Sequence, residues 1–336
     1  MKEAVFFKEL ENKEVQCHLC PHNCKISPEK RGICGVRKNI DGKLFSLVYD
    51  KVSTMHIDPI EKKPLYQFYP GERAMSIATM GCNLSCKFCQ NADLSQSPRQ
   101  AEDMIVGEKI SPEEIVEAAK KNNCKIIAYT YSEPTIFYEL AYDTAKLAHE
   151  NNIKNVFISN GYINEEPLKE ISPYLDAANI DLKSFDDDFY KKVCGASLKP
   201  VLNTIKLMHK QGIWAEITTL VIPKENDSEK ELNQIAEFIA SVDKNIPWHI
   251  SRFYPHYRMD GKFPTSINTL ERAYELGKKA GLNYIYLGNV PGNAKDDTYC
   301  PSCSELIIKR NGYRISEINL EKNKCSSCGH EITGRY

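Results

Sequence analysis

The sequence lacks long apolar runs and carries almost no net charge. Its 336 residues sum to a formal charge of −1, which excludes a strongly basic nucleic-acid-binding protein. The charge gives no support for RNA as a partner. No stretch approaches the roughly 18 apolar residues of a membrane helix. The first ten residues carry charges at Lys2, Glu3, Lys8 and Glu9 and do not resemble a signal peptide. We therefore expect a cytoplasmic protein without a membrane partner.

Cysteine, in contrast, is abundant. Thiols stay reduced in such a compartment, so the thirteen cysteines indicate metal sites and not disulfides. Eleven of them fall into three clusters. Of the other two, Cys124 is expected to be a small buried apolar residue. The same is favoured for Cys194, although a thiol there could also donate a hydrogen atom or ligate a metal.

The central cluster has the spacing C-x3-C-x2-C and consists of Cys82, Cys86 and Cys89. A [4Fe-4S] cluster is usually held by four thiolates, and the next cysteine does not follow until Cys124. Structural zinc is a poor alternative because it needs a closed set of four ligands. The spacing therefore predicts an iron–sulfur cluster with one iron left open to another ligand.

This spacing, with Phe88 directly before the last cysteine, resembles the signature of the radical S-adenosylmethionine (radical SAM) superfamily. The resemblance implies that the amino and carboxylate groups of SAM chelate the open iron. It also implies a low-potential electron donor such as ferredoxin or flavodoxin. Reductive cleavage of SAM would give a 5′-deoxyadenosyl radical that abstracts hydrogen from a substrate. Phe88 would lie near the adenine.

The two other clusters lie near the chain ends. The first has the spacing C-x2-C-x3-C-x9-C and consists of Cys17, Cys20, Cys24 and Cys34. It predicts a metal site, and the sequence does not decide between zinc and an iron–sulfur cluster. The second has two C-x2-C pairs separated by twenty-one residues that flank a two-strand pattern. That arrangement is typical of a zinc ribbon and predicts zinc at Cys300, Cys303, Cys325 and Cys328.

Between these modules, short apolar runs alternate with amphipathic helical patterns. Six runs are predicted as strands, at Met75–Thr79, Lys125–Thr130, Asn155–Ser159, Ala177–Leu182, Ile213–Ile222 and Trp248–Phe253. The alternation predicts an α/β fold, a partial (β/α)6 TIM-type barrel with an N-terminal cysteine-rich module and a C-terminal zinc-ribbon-like module. The predicted domains are residues 1–72, 73–294 and 295–336. Capping boxes are predicted at Ser111 and at Ser228 with Glu231, and a helix end before Gly281.

Polar residues follow the predicted strands, where barrel enzymes carry their chemistry. The candidates are Ser132, Glu133, Asn160, Asp181, Lys183 and His256. In order and spacing their motifs resemble those of pyruvate formate-lyase activating enzyme. The resemblance implies that Ser132 and Glu133 receive the SAM amino group, that Lys183 neutralises its carboxylate and that His256 hydrogen-bonds the nucleoside. It also implies contacts from Asn160 and Asp181 to the ribose, the carboxylate or a nearby cation. The chain departs from the family's Gly-Gly-Glu-Pro at Tyr131-Ser132.

The arrangement of the whole chain resembles a narrower group. Residues 17–24, 89–91, 130–134 and 286–290, together with the C-terminal ribbon, are similar to the AmmeMemoRadiSam-system radical SAM enzymes, which are relatives of the pyruvate formate-lyase activases. That resemblance implies Memo-type and AMMECR-type partner proteins. No motif identifies a substrate.

Three functions remain open at this point. The first is a radical SAM enzyme acting on an unassigned substrate within that multi-protein system. The second is an activase that makes a glycyl radical on a partner enzyme. The third is a non-catalytic, metal-bound module that binds RNA or protein.

Overall fold

The first fifty residues form two small antiparallel sheets. In this computed structural model, which describes residues 1–290, 292 and 294–336, their strands are β1 (Lys2–Glu3), β2 (Phe7–Glu9), β3 (Val15–Cys17), β4 (Lys25–Ile26), β5 (Arg37–Ile40) and β6 (Lys43–Ser46). One sheet has the order β1-β6-β5 and the other β2-β3-β4. The β2–β3 hairpin places Phe7 opposite Cys17. The first four cysteines therefore lie on and between short strands.

A mixed eight-stranded sheet forms the centre of the molecule. The strands of this region are β7 (Lys51–Val52), β8 (Thr54–Pro59), β9 (Arg73–Ala78), β10 (Glu108–Lys109), β11 (Ile126–Tyr129), β12 (Lys154–Ser159), β13 (Ala177–Asp181), β14 (Trp214–Val221), β15 (Trp248–Arg252) and β16 (Ile285–Gly288). The sheet order is β16-β15-β14-β13-β12-β11-β9-β8. Neighbours from β9 to β16 are parallel, whereas β8 is antiparallel to β9. Strands β7 and β10 pair with each other.

All six predicted strands are present, but the prediction of six was too few. It missed β16, a four-residue run, and β8, whose sequence mixes apolar residues with His56 and Asp58. Neither strand shows the long apolar run that marks a strand buried on both faces. The predicted six-stranded barrel is thus observed as an eight-stranded mixed sheet, with β8 and β16 at its ends.

Eight α-helices accompany these strands in the described ranges. They are α1 (Ala92–Gln96), α2 (Pro112–Lys121), α3 (Tyr138–Glu150), α4 (Glu165–Ile171), α5 (Asp187–Phe189), α6 (Leu198–Lys210), α7 (Glu229–Val242) and α8 (Ile267–Lys279). A π-helical turn, Tyr190–Cys194, continues α5. None of the helices in this part of the chain is long and apolar enough to span a membrane.

The helix ends test the predicted caps. At α2, Ser111 and Glu114 form the expected box, with Ser111 N donating to Glu114 Oε2 at 2.8 Å. At α7, Ser228 Oγ accepts from Glu231 N, but the Glu231 carboxylate accepts from Phe185 N at 3.0 Å instead of returning to the cap. The prediction of a second capping box is therefore wrong for the hydrogen bond from the Ser228 backbone to Glu231, because the Glu231 carboxylate makes a tertiary contact instead. Helix α8 ends before Gly281, which has a φ of +87°, as expected.

The C-terminal module packs against one edge of the main sheet. Its strands are β17 (Thr298–Tyr299), β18 (Leu306–Asn311), β19 (Arg314–Ile318), β20 (Leu320–Glu321) and β21 (Lys324–Cys325). Ile307 and Ile308 are fully buried in a cluster with Tyr286 of β16. The buried Arg310 donates from Nη2 to Tyr66 O at 2.7 Å. The module is thus joined to the sheet by both apolar and polar contacts.

The predicted division into three domains stays a prediction. Strand β8 comes from the region assigned to the first domain, yet it pairs along its whole length with β9 of the second. The second domain, 73–294, includes Pro291 and Asn293, which lie outside the described residues.

Candidate active site

The loop that carries the central cysteines follows β9 and crosses the carboxyl edge of the parallel strands. Two neighbouring segments hold its backbone. Ser85 N donates to Cys194 O at 2.8 Å, in the π-helical turn after α5. Arg99 Nη2 donates to Cys82 O, also at 2.8 Å. These hydrogen bonds hold the loop that positions Cys82, Cys86 and Cys89.

The three thiols are shielded from solvent, and their surroundings favour the neutral form. Burial raises the pKa of the Cys82 and Cys89 thiols. For Cys86, contact with the Cys194 thiol raises the pKa first and burial adds to it. Such thiols ionise when a metal cation binds, because its charge stabilises the thiolate. Two donors already point at one sulfur: Leu84 N lies 3.4 Å and Asn160 Nδ2 lies 3.7 Å from Cys82 Sγ.

A cavity of about 600 Å³ opens next to these thiols. Its lining brings together nine of the ten residues that the sequence places at the central site, namely Cys82, Cys86, Phe88, Cys89, Ser132, Glu133, Asn160, Asp181 and Lys183. The tenth, His256, is exposed in the turn after β15 and is not part of this lining. The volume lies within the range of small-molecule and cofactor sites.

Glu133 joins the ends of two strands. Its Oε1 accepts from Thr135 N at 3.0 Å and Ser159 Oγ at 2.8 Å, and Oε2 accepts from Asn160 N at 2.8 Å. Burial raises the pKa of Glu133, and these hydrogen bonds oppose the rise. Because Oε2 receives only this one hydrogen bond in the described structure, it keeps acceptor capacity for a further donor.

Ser132, the residue before Glu133, provides an independent test of whether the cavity suits a polar ligand. Its Oγ is buried and has no hydrogen-bond partner among the described residues. A buried hydroxyl without a partner is costly. The side chain lines the cavity, so a polar ligand group there would satisfy it. The lining residues therefore fit a ligand with amino and carboxylate groups.

The preceding residue explains the departure from Gly-Gly. Tyr131 has a φ of +64°, a left-handed conformation that glycine adopts most readily. Here its hydroxyl hydrogen-bonds Asp58, and Lys63 Nζ lies 4.1 Å from its ring centre. Burial opposes ionisation of Asp58, but hydrogen bonds from two lysines and Tyr131 hold its pKa below the usual range. Burial in turn lowers the pKa of Lys63 to about 8.

A partly exposed ion pair occupies the side of the cavity formed by β13. Lys183 Nζ lies 2.8 Å from Asp181 Oδ2, and the side chains are 12% and 40% exposed. Burial alone would lower the pKa of Lys183, but the charge of Asp181 and the nearby cysteines raise it well above the usual value. The ammonium therefore stays charged, and it lies 5.6 Å from the Phe88 ring centre. Its partner is open enough to solvent to release it to an anionic ligand.

Sequence reasoning missed the residue that links this site to the N-terminal module. Asn83 is 1% exposed; its Oδ1 accepts from Asn160 Nδ2 at 2.9 Å, and His22 Nε2 lies 2.8 Å from its backbone oxygen. A single asparagine between two cysteines gives no pattern that would identify it. The missed Asp58, Lys63 and Tyr131 group likewise joins residues that are far apart in the chain.

The C-terminal cysteines converge on one point. Cys300 and Cys328 have their sulfurs 3.7 Å apart, as do Cys303 and Cys325, and the four sulfurs lie within 4.8 Å of one another. Tetrahedral coordination with a Zn–S distance of about 2.3 Å requires sulfurs about 3.8 Å apart. This module could thus hold a metal ion.

The fold and this site together define an α/β protein that gathers three cysteines and a polar cavity at the carboxyl edge of its sheet. Comparison with known proteins identifies the family. The model of the Radical SAM superfamily matches residues 76–239, and the chain belongs to that superfamily. An uncharacterized protein of Methanocaldococcus jannaschii is 47% identical over 335 residues and covers 99% of both chains.

More distant relatives agree with this assignment. The chain is 24% identical to the pyruvate formate-lyase-activating enzyme of Clostridium pasteurianum. The match covers 52% of this chain and 71% of that enzyme. The crystal structure of Streptococcus suis SuiB bound to S-adenosylmethionine shares the fold, with a TM-score of 0.52 and 15% identity, over 68% of this chain and 53% of SuiB. The chain is therefore a radical SAM enzyme, and the superfamily implies a [4Fe-4S] cluster and SAM as its cofactors.

Proposed function

We propose that this chain cleaves SAM reductively at the central cavity and uses the product on a substrate within an AmmeMemoRadiSam-type system. The observation that carries the proposal is the cavity itself, where one buried and two half-buried cysteines meet an acid and a lysine at the carboxyl edge of parallel strands. When bound at Cys82, Cys86 and Cys89, the cluster supplies the electron that cleaves SAM to a 5′-deoxyadenosyl radical. Memo-type and AMMECR-type proteins are the proposed partners.

The residues of the chain bind and orient the cofactor. Glu133 Oε2 and the unpartnered Ser132 hydroxyl would receive the amino group, because both are polar, buried and on the lining. Lys183 would exchange part of its ion pair with Asp181 for the SAM carboxylate. Phe88 would cover the adenine, and its burial excludes water from that side.

Two further assignments remain proposals. Asn160 would contact the ribose, since its side chain lies between Cys82 and Asn83 on the lining. His256 would have to turn from its exposed position to reach a nucleoside. We also propose that the C-terminal metal is zinc, because the sulfur separations of 3.7 Å match tetrahedral zinc thiolate, and that ferredoxin or flavodoxin supplies the electron.

A glycyl radical activase is the second candidate. It is favoured by relatives with activase names, among them the Clostridium pasteurianum protein and the 4-hydroxyphenylacetate decarboxylase activating enzyme of Clostridium scatologenes, which is 25% identical over 48% of this chain. A backbone loop of a partner would enter past Tyr313, the residue of the C-terminal module that lines the cavity.

The proposal is tested by anaerobic reconstitution, chemical reduction and assay of 5′-deoxyadenosine after SAM is added. The wild type and a Cys124→Ala control should both form the product, since Cys124 is buried outside the three cysteine sets. Lack of product from protein with an intact cluster would overturn the proposal.

A second experiment separates the two candidates. Memo-type and AMMECR-type proteins should raise the yield of 5′-deoxyadenosine, and deuterium from their labelled substrate should enter it. A glycyl radical signal in electron paramagnetic resonance (EPR), formed on a mixed-in partner enzyme, would instead support the activase.

A further inference from the structure

We propose that Cys17, Cys20, Cys24 and Cys34 hold an iron–sulfur cluster and not zinc, and that this cluster is a second redox centre next to the central one. The metal assignment does not depend on SAM cleavage. The electron-transfer part rests on the proposed function.

The sulfurs of the N-terminal set are more widely separated than those of the C-terminal set. The C-terminal cysteines converge within 4.8 Å, whereas no three of the N-terminal thiols do so in the described structure. The central cysteines, which belong to the iron–sulfur motif of the superfamily, are also too far apart to meet this limit. A single zinc ion brings its thiolates to about 3.8 Å, but a cluster of several irons holds them farther apart. The N-terminal set therefore resembles the central cysteines and not the zinc-like set.

The N-terminal thiols surround a shared space. All four N-terminal cysteines line one apolar cavity of about 20 Å³. That is room for a water-sized atom. His22 also lines the cavity, and its Nε2 lies 2.8 Å from Asn83 O. The four cysteines therefore face one common site.

Arg37 supplies a third, independent observation. This residue is 2% exposed and lines the same cavity. It pairs with Glu139 at 3.1 Å, yet its Nε and Nη1 have no hydrogen-bond partner among the residues that the structure describes. Unpartnered guanidinium donors are costly when buried. A negatively charged cluster, with sulfide and thiolate acceptors, would satisfy them.

The position of this cavity determines the proposed role. His22 spans from its lining to the backbone oxygen of Asn83, the neighbour of Cys82. A Cβ added to Gly81 would lie 3.2 Å from Cys34 O, so the two cysteine loops are in direct contact. Thr135, which hydrogen-bonds Glu133, lines the N-terminal cavity from the other side. The two sites therefore share a wall.

Electron transfer between them involves no bond change. A low-potential one-electron donor would reduce the N-terminal cluster, and that electron would then pass to the central one. Each transfer oxidises one centre and reduces the other by one electron. This arrangement places the entry point for electrons away from the cavity that holds SAM.

The metal is tested in a variant without the central ligands. Full-length Cys82→Ala/Cys86→Ala/Cys89→Ala, reconstituted anaerobically, should retain iron and acid-labile sulfide in equal amounts, about two to four of each per chain, and one zinc. Two zinc ions and no iron, or no metal at the N-terminal set, would overturn the proposal.

A measurement on unaltered protein covers the case in which that variant misfolds. Wild-type protein purified anaerobically should contain about six to eight irons per chain, against about four if the central cluster is the sole one. Cys124→Ala, the matched control, should have wild-type metal content, whereas Cys20→Ala/Cys24→Ala should lose only the extra iron. An iron content of about four with two zincs contradicts the assignment.

The proximity of the two centres has its own readout. Fully reduced wild-type protein should give an EPR spectrum broadened by spin coupling between the clusters. The triple variant and Cys20→Ala/Cys24→Ala should each give a simple, unbroadened signal. Two independent signals in the wild type would exclude a direct electron path, even if both clusters are present.

Discussion

Glu133 has two tasks that a superfamily motif alone does not distinguish. Its carboxylate accepts hydrogen bonds from Thr135, in the turn after β11, and from Ser159 and Asn160 at the end of β12, and it lines the cavity. It is therefore a structural residue as well as a candidate ligand for the SAM amino group. Replacement should affect folding and binding together.

Glu133→Gln should lower both the melting temperature and the affinity for SAM. An amide nitrogen cannot accept the hydrogen bonds that the carboxylate accepts, and one buried unsatisfied donor costs about 1–3 kcal/mol. Anaerobic thermal unfolding and equilibrium dialysis with labelled SAM measure the two effects. Glu114→Gln, at an exposed helix start, is the control and should change stability by less than about 0.5 kcal/mol. A wild-type melting temperature for Glu133→Gln would contradict the structural role.

Lys183 offers a test of charge pairing with SAM. Lys183→Met removes the ammonium that would meet the carboxylate, and a hydrogen bond to a charged group contributes about 1.5–3 kcal/mol. We expect affinity for SAM to fall roughly 10- to 150-fold, measured by dialysis with the cluster oxidised. Asp181→Asn is the matched variant, because it frees the ammonium from its ion pair and should leave affinity equal or higher. If both variants lost the same affinity for SAM, the intact ion pair, and not the ammonium alone, would be what SAM binding requires.

At the scale of elements, the cysteine loop depends on the π-helical turn after α5. Gly195 ends that turn with a φ of +69°, and a Cβ there would lie 2.3 Å from Ser85 Oγ, between two of the cluster cysteines. A side chain at this position would push the loop away. The turn thus positions Cys82, Cys86 and Cys89, the proposed cluster ligands, although it contributes none of them.

Gly195→Ala should therefore lose iron more readily than a comparable glycine variant. Gly212 has a φ of +77° with no atom within 4 Å of an added Cβ, so Gly212→Ala carries only the backbone strain of about 1 kcal/mol. Iron and sulfide content after anaerobic gel filtration is the measurement. Adding Ser85→Ala to Gly195→Ala should restore part of the iron. The same iron content in the two glycine variants would argue against the contact.

The sequence predicts those elements whose structure depends on neighbouring residues. It fails for features that depend on contacts between residues far apart in the chain. The six strands of the prediction have apolar runs, and Ser111 has a cap formed by residues three apart. Glu231 also has the spacing of a cap, but Phe185 binds its carboxylate. The strand-end motifs could be placed on one edge because parallel strands align their carboxyl ends. The contact between His22 and Asn83 spans 61 residues and has no local signature.

At the scale of the whole molecule, the three cysteine sets differ in burial and spacing. We therefore predict that the metal of one set can be removed while the other sets keep theirs. Cys300 and Cys325 of the C-terminal set are buried with Tyr284 and Tyr286 in an apolar cluster that contains none of the cavity cysteines. Cys86→Ala should abolish SAM cleavage and leave zinc at one per chain. Cys325→Ala should release the zinc and retain the central iron. Metal analysis of both variants is the check, and joint loss of zinc and iron in either would contradict separate sites.

The central claim is that the cluster at Cys82, Cys86 and Cys89 keeps one iron open for SAM. Cys194 is the alternative ligand, because its thiol contacts Cys86 and could itself coordinate the fourth iron. Electron–nuclear double resonance on the reduced Cys20→Ala/Cys24→Ala protein, with SAM labelled by ¹⁷O in the carboxylate and ¹⁵N in the amino group, tests it most directly. We predict hyperfine coupling from both labels. Absence of coupling at saturating SAM, with an intact cluster, would contradict the claim.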